Sequence, residues 1–296
     1  MNILLTGAGG YIGSNLTKEL AKNKDLKIYC LSRSAINSNN EIEGVRYFNS
    51  DLASDNFPES LPENIDCVIH LAQSSNYRKF PEMAGDIFSV NVRSTQLLLD
   101  WAVKNKIKKF IFASTGNVYK TRKKLLSEKD ICEPLGYYGA SKYAAEQLIK
   151  PYEVFFDVII LRIFGVYGPG QKNMTIPNII NKHKNSEVIS LAQNQGLFLT
   201  PLYIDDCIQM LKTILLSPLK NKFNLYNLAG SKKVHLGELL SIISNITGIK
   251  TEIKNTPDEP MYLMGNGTLF KKDFNYKSTT SLKKGLRATL LYEQTK

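Results

Sequence analysis

The sequence predicts an α/β fold built on a doubly wound parallel sheet, and three observations carry that expectation. The first is the opening run Met1 to Gly13. There Ile3, Leu4 and Leu5 form an apolar run of strand length, Gly7, Gly10 and Gly13 recur every third residue, and Ile12, Leu16 and Leu20 then repeat every fourth, as one helix face does. The second is a succession of further short runs, Lys27 to Leu31, Val45 to Phe48, Cys67 to Ala72 and Lys109 to Ala113, separated by longer polar or helix-periodic stretches. The third is the nearly continuous apolar character of Cys67-Val-Ile-His-Leu-Ala72, the mark of a parallel strand covered on both faces.

The opening run also suggests chemistry. A strand, a glycine turn and a helix N-terminus make an anion site, because unpaired backbone N–H groups and the helix dipole point at one spot. A single glycine is more often just a turn that needs positive φ, but the strand-to-helix setting favours a dinucleotide pyrophosphate. Composition bounds the rest. With 43% hydrophobic and 22% charged residues, a chain of 296 residues has ample core for one large domain or two. Cys30, Cys67, Cys132 and Cys207 form no CxxC pair, so neither a metal site nor a disulfide framework is expected, and a cytoplasmic setting fits. No leader-like segment precedes the first strand and no run of about 18 apolar residues occurs, so neither secretion nor a membrane span is expected. The net charge of +11 comes from lysines spread along the chain, densest over 104–109 and 120–124. Without interleaved aromatics these runs do not suggest nucleic acid, and the positive field suits a phosphate-bearing ligand.

Taken in order, the second strand ends at Ser32-Arg33-Ser34, where an acid would grip the ribose 2′-OH of NAD. Asp25 precedes the strand and Glu41 falls in a polar loop, so no acid stands there; Ser32 and Arg33 instead suit the 2′-phosphate of NADP, the alternative being an arginine that faces solvent. Asp51 and Leu52 follow the third strand, where an aspartate can reach an adenine amino group. His70, inside the fourth strand, reads as a packed, hydrogen-bonded core residue. A helix from about Asp86 to Lys104 carries an apolar stripe of Val90, Leu97, Leu98, Trp101 and Ala102. Ser114 and Thr115 leave the C-terminal end of the fifth strand, the edge where open α/β sheets bind ligands.

Tyr138 and Lys142 come next, four residues apart on a helical stretch that runs to Pro151. An ammonium beside a phenol favours phenolate, so Lys142 is expected to lower the pKa of Tyr138 and make it a proton donor and acceptor near neutrality. By itself Tyr-x-x-x-Lys is frequent by chance; its position after the strand order above is what distinguishes it.

These features together resemble the extended short-chain dehydrogenase/reductase family, in its branch of nucleotide-sugar epimerases, dehydratases and ketoreductases, over essentially the whole chain. The carriers are Thr6-Gly-Ala-Gly-Gly-Tyr-Ile-Gly13, Asp51-Leu52, Val68 to Ala72, Asn91 to Thr95, Ala113 to Tyr119, Tyr138 to Lys142, Leu161 to Gly170 and Leu202 to Asp206. The resemblance implies a Rossmann fold in which Gly7, Gly10, Tyr11, Ile12 and Gly13 hold the pyrophosphate. It also implies that Asp51 and Leu52 meet the adenine, that Leu71, Ala72 and Gln73 line the nicotinamide side, and that Asn91 belongs to the cofactor neighbourhood. Thr115 then hydrogen-bonds the reacting sugar oxygen, Tyr138 is the acid/base, Lys142 holds the nicotinamide ribose and tunes Tyr138, and Asn117 joins Thr115 and Tyr138 at the substrate. A homodimer is expected as well. The implied division is a dinucleotide-binding domain of residues 1–165 and about 198–228, with a smaller α/β substrate-binding lobe of about 166–197 and 229–296.

Departures from the family narrow the reading. Gly116 and Asn117 stand where 4,6-dehydratases carry their Asp-Glu elimination pair, so dehydration is not expected. Gly165 stands where an asparagine usually touches the substrate diphosphate, and Leu199 where an arginine often does; Lys172, Lys182 or the 120–124 loop are the candidate replacements. In the lobe, Phe223 to Ala229 reads as a strand returning to the main sheet and Leu236 to Thr247 as a helix with Leu239, Leu240, Ile243 and Ile246 inward. Three functions follow. The leading expectation is NADPH-dependent reduction of a 4-keto nucleotide sugar, because a net reductase draws on the NADP pool and Arg33 suits NADP, although NAD would also fit the glycine turn. The alternatives are a C4 epimerase with bound NAD(P) and a non-catalytic dinucleotide sensor, which the intact Thr115, Tyr138 and Lys142 set disfavours.

Overall fold

The computed structural model describes residues 1–33 and 42–294, so Ser34 and Glu41 lie outside the described residues. The chain divides into two compact units, one of residues 1–120, 131–162 and 210–226, the other of residues 121–130, 163–209 and 227 onward.

The first unit holds strands β1 (Asn2–Thr6), β2 (Lys27–Ser32), β3 (Val45–Asn49), β4 (Cys67–His70), β5 (Lys109–Thr115) and β6 (Asp157–Ile163), with helices α1 (Tyr11–Leu20), α2 (Ala84–Phe88), α3 (Ser94–Lys104) and α4 (Tyr137–Ile149). The sheet order is Phe223–Leu228, β6, β5, β4, β1, β2, β3. The strand predicted to return to the main sheet therefore lies at one edge. Leu4 pairs in parallel with Tyr29 on one side and Val68 on the other, so the order reverses between β1 and β4. Ligands bind at the carboxyl ends of strands at such a switch point. Val68, Phe110, Phe112, Val158 and Ile160 fill the core with Leu98, Leu99, Trp101, Ala145 and Ile149 from α3 and α4. These strand residues are covered on both faces, which explains their unbroken apolar runs.

His70 is a core residue, fully buried between Thr6 and Thr95. Thr6 Oγ1 lies 2.6 Å from Nδ1 and Thr95 Oγ1 lies 3.1 Å from Nε2. Thr95 donates its hydroxyl proton to the Asn91 carbonyl, so it accepts from the ring; the network assigns the proton to Nε2 and leaves Nδ1 accepting from Thr6. Burial, with a smaller contribution from the Lys142 charge, pushes the imidazole pKa down to about 3 and keeps it neutral.

The single helix expected over about 86–104 is interrupted. Residues Ser89–Arg93 form a π turn between α2 and α3. Ser94 Oγ and Thr95 Oγ1 donate to the carbonyls four residues back, Val90 and Asn91, and such back-bonding loosens a regular ladder. The apolar stripe survives the interruption, since Val90, Leu98, Trp101 and Ala102 are buried.

The second unit is built of short strands and helices. Ile189–Ala192 pairs with Ile253–Thr256, and Leu197–Leu199 pairs with Val234–His235 and Met261–Leu263. Helix Leu236–Thr247 buries Leu239, Leu240 and Ile243, while Ile246 is only partly buried. Asp206, 2% exposed, accepts from the backbone N–H groups of Thr279 and Thr280 and from the hydroxyls of Tyr276 and Thr279, and so pins the segment that enters helix Leu282–Gln294.

Candidate active site at the sheet's carboxyl edge

The glycine turn takes its shape from close backbone approach. Gly7 has φ +73°, and a Cβ there would stand 2.7 Å from the Ala72 nitrogen. A Cβ on Gly13 would stand 2.1 Å from the Gly7 carbonyl oxygen. The Gly10 N–H donates to that same oxygen at 2.9 Å, while the N-terminus of α1 has no side-chain cap and no acidic residue in its first turn. A helix start with uncapped N–H groups beside exposed Gly9 and Gly10 fits a pyrophosphate. The turn is thus suited to the dinucleotide that the sequence suggests. Tyr11 and Ile12 open α1 and are partly buried, and Leu71 and Ala72 back the turn from the end of β4.

Ser32 reaches the turn, its Oγ 3.7 Å from the position of a Cβ on Gly9. Arg33 is exposed and donates from Nη2 to Ser75 Oγ at 3.3 Å, so its guanidinium lies over the segment that follows β4. Asp51 is exposed and spends one carboxylate oxygen on the Ala53 N–H, whereas Leu52 is buried. Asn91 is fully buried and uses both ends of its amide within the protein. Its Oδ1 accepts from the Ser74 N–H and its Nδ2 donates to Ser141 Oγ, each at 2.9 Å, and Ser141 in turn donates to the Tyr138 carbonyl. The π turn therefore ties the loop after β4 to the first turn of α4.

Thr115, Asn117, Gln73 and Tyr138 come together. Thr115 Oγ1 accepts from the Asn117 backbone N–H and from its Nδ2, and Thr115 is also hydrogen-bonded to the Tyr138 phenol. The Tyr138 hydroxyl donates to Gln73 Oε1 at 2.8 Å, and the Tyr77 ring packs 4.9 Å from the Tyr138 ring. Lys142 lies one turn along α4, 2% exposed, with its ammonium 4.0 Å above the Phe112 ring and no hydrogen bond among the described residues.

The electrostatics differ from the sequence expectation in one respect. The Tyr138 pKa is raised, not lowered: enclosure of its hydroxyl dominates, and the hydrogen bond from Thr115 offsets only part of it. Lys142 makes no bond to the phenol, because its ammonium sits over Phe112. Burial pushes the Lys142 pKa down to about 7, against the field of Glu146. Glu146 and Arg162, which sequence reasoning did not place at the site, are hydrogen-bonded to each other, and Ser114 at the end of β5 donates to Glu146. Glu146 follows Lys142 by the same four-residue step that links Lys142 to Tyr138, and that spacing was the available signal.

In the second unit the two departures from the family pattern are neighbours. Gly165 has φ +44°, its carbonyl accepts from the Leu202 N–H, and Leu199 Cδ1 lies 3.8 Å from where a Cβ on Gly165 would stand. Leu199 is buried, so its side chain packs beside Gly165 and neither position offers a polar anchor.

Residues 3–229 match the model of the NAD dependent epimerase/dehydratase family. The chain belongs to this family. Over nearly full length, 99% of this chain and 98% of the relative, it is 29% identical to a Bacillus subtilis protein described as "Uncharacterized UDP-glucose epimerase YtcB". It is 31% identical to the dTDP-D-glucose 4,6-dehydratase of Dictyostelium discoideum, over 72% of this chain and 55% of that one. Among solved structures, the UDP-glucuronic acid 4-epimerase of Bacillus cereus, in complex with UDP-glucuronic acid and NAD, superimposes with a TM-score of 0.90 at 26% identity, covering 100% and 99% of the two chains. The family's cofactor is NAD, and its nucleotide-sugar chemistry makes this chain an NAD-dependent enzyme of that class. Among the described residues no helix is long and apolar enough to cross a membrane.

Proposed function

We propose that the protein is a C4 epimerase of a nucleoside diphosphate sugar that retains its NAD through the cycle. One observation carries this reading: Thr115 and Tyr138 are hydrogen-bonded beside Lys142, with Gly116 and Asn117 in place of an elimination acid and base. The full-length likeness to sugar-nucleotide 4-epimerases favours epimerisation over the ketoreductase expected from Arg33 alone, and points to a UDP-linked hexose or hexuronic acid as substrate.

Tyr138, acting as its phenolate, would take the proton of the C4 hydroxyl and later return it to the same oxygen. Bound NAD supplies the hydride acceptor and, once reduced, the donor. Thr115 holds the C4 oxygen, Lys142 holds the nicotinamide ribose and stabilises the phenolate, and Gln73 releases the Tyr138 hydroxyl it now accepts from. The glycine turn with Tyr11 and Ile12, Asp51 with Leu52, and Leu71 with Ala72 bind the rest of the cofactor.

A second reading has one specific observation behind it. Arg33 with Ser32 at the end of β2, and no carboxylate beside them among the described residues, suits the 2′-phosphate of NADP and hence a 4-ketoreductase. Incubating the protein with UDP-glucose and UDP-glucuronic acid without added reductant, and resolving the C4 epimers by NMR, separates the two. Interconversion supports the epimerase, whereas stoichiometric NADPH consumption on a 4-keto sugar nucleotide without epimerisation overturns it. Exposed Phe88, Leu148, Val154 and Phe155 in the first unit are consistent with a homodimer, which light scattering on the eluting protein tests.

A further inference from the structure

We propose that Glu146 is a positioning residue of this site, its clamped carboxylate holding the buried Lys142 side chain in the charged form. The inference rests on the reading of Lys142 as the partner of Tyr138.

Three observations on the first unit carry it. Glu146 lies on the Lys142 face of α4, one turn on, and its side chain is 2% exposed. Its carboxylate cannot swing away: Arg162 donates from Nε at 3.0 Å to Oε1 and from Nη2 at 2.6 Å to Oε2, and Ser114 Oγ donates to Oε1. Arg162 is itself fixed, its guanidinium 4.6 Å from the Tyr119 ring centroid. The carboxylate is thus fully engaged by Arg162 and Ser114, and it lies one helical turn from the buried Lys142, whose ammonium sits over Phe112, two residues before Ser114 on β5.

Among the described residues, the surroundings of Lys142 offer no other anion to serve it. From β4 it faces His70, which is neutral and committed to Thr6 and Thr95. Phe112 of β5 offers a ring face, and Tyr138 on its own helix is a neutral phenol. Cys132, Tyr143 and Arg162 lie about Glu146, and none of them is a carboxylate. Burial opposes the ammonium and Glu146 is the group that favours it. A buried lysine with no anion at hand loses its proton, and a neutral amine can no longer stabilise a phenolate.

The test titrates Lys142 directly. Protein carrying 13C-labelled lysine is followed by the Lys142 Cε resonance, assigned by its loss in Lys142→Arg, across a pH series in the cofactor-free chain. In Glu146→Gln the midpoint is expected to fall by about one unit or more, the lower range for losing an opposite charge at this separation, while Glu146→Asp keeps it near that of the parent. Should E146Q fail to fold, the comparison is made between R162M and the E146Q/R162M pair, which leaves no unpaired guanidinium; the same fall is expected. An unchanged midpoint in whichever pair folds overturns the proposal. Because the titration needs no substrate, failure of every sugar nucleotide to react bears on the proposed function and leaves this result standing.

Discussion

At the scale of single residues, the site is a set of hydroxyls on one hydrogen-bonded path, and each has a separable task. Tyr138 is held between Thr115 and Gln73 with its proton retained by burial. Tyr138→Phe should fold and bind NAD normally yet lose about a hundredfold or more in turnover, the lower end for general acid–base catalysis. Near-parental turnover, measured alongside cofactor titration, would remove the phenol from the mechanism. Arg33 decides a different matter. If its guanidinium can leave Ser75 for a 2′-phosphate, Arg33→Ala weakens NADP by on the order of 1.5–3 kcal/mol and leaves NAD nearly unchanged. Equal losses in the two calorimetric titrations would show that it serves neither. Tyr138, Lys142, Thr115 and the three glycines were legible in the sequence because each sits in a short local pattern. Gln73's bond to Tyr138 was not, because it joins residues 65 apart along the chain.

At the scale of elements, the glycine turn and the π turn do the positioning. The N-terminus of α1 reaches the carboxyl edge of β1 only because Gly13 lets the helix start pass the Gly7 carbonyl. Gly13→Ala places a methyl group inside that contact, so the turn must open. It is expected to cost about 1–3 kcal/mol in chemical denaturation and to abolish detectable NAD binding, while β4, β5 and α4 retain their spectroscopic signature. Full NAD affinity in this variant would show that the turn does not carry the pyrophosphate. The π turn was hidden from the sequence: the apolar stripe runs through it from Val90 into α3, and the backward bonds of the Ser94 and Thr95 hydroxyls that accompany it are visible only in the fold.

At the scale of the whole molecule, stability and site chemistry oppose one another at Lys142. Its pKa is about 7 in the folded chain against 10.5 ordinarily, so between those values the unfolded chain binds the extra proton. The sign follows: burial of Lys142 destabilises the fold fully below about pH 7, and the cost fades as pH rises toward 10.5. Lys142→Met is therefore expected to be more stable than the parent by a few kcal/mol at pH 6, with the difference shrinking steadily by pH 10. Urea denaturation of both proteins across this range checks it, and a difference that stays constant with pH would show that Lys142 is not held in a shifted state. The same variant should be inactive, which is the usual opposition between a charged buried site and a well-packed core.

The sequence by itself determined the α/β class, the family, the glycine turn and the Thr115, Tyr138 and Lys142 set, because strand and helix periods and short motif spacings are local properties of the chain. Only the tertiary structure decided the protonation of the site. Whether Tyr138 is made more or less acidic depends on how burial weighs against Lys142, and that balance is set by Phe112 and Thr115 from β5 and Gln73 from the loop after β4. The clamp of Ser114 and Arg162 on Glu146 likewise joins β5, α4 and β6, and the packing of Leu199 beside Gly165 joins segments 34 positions apart in number. Desolvation and charge act through space, and the chain's order carries no record of those distances until it has folded.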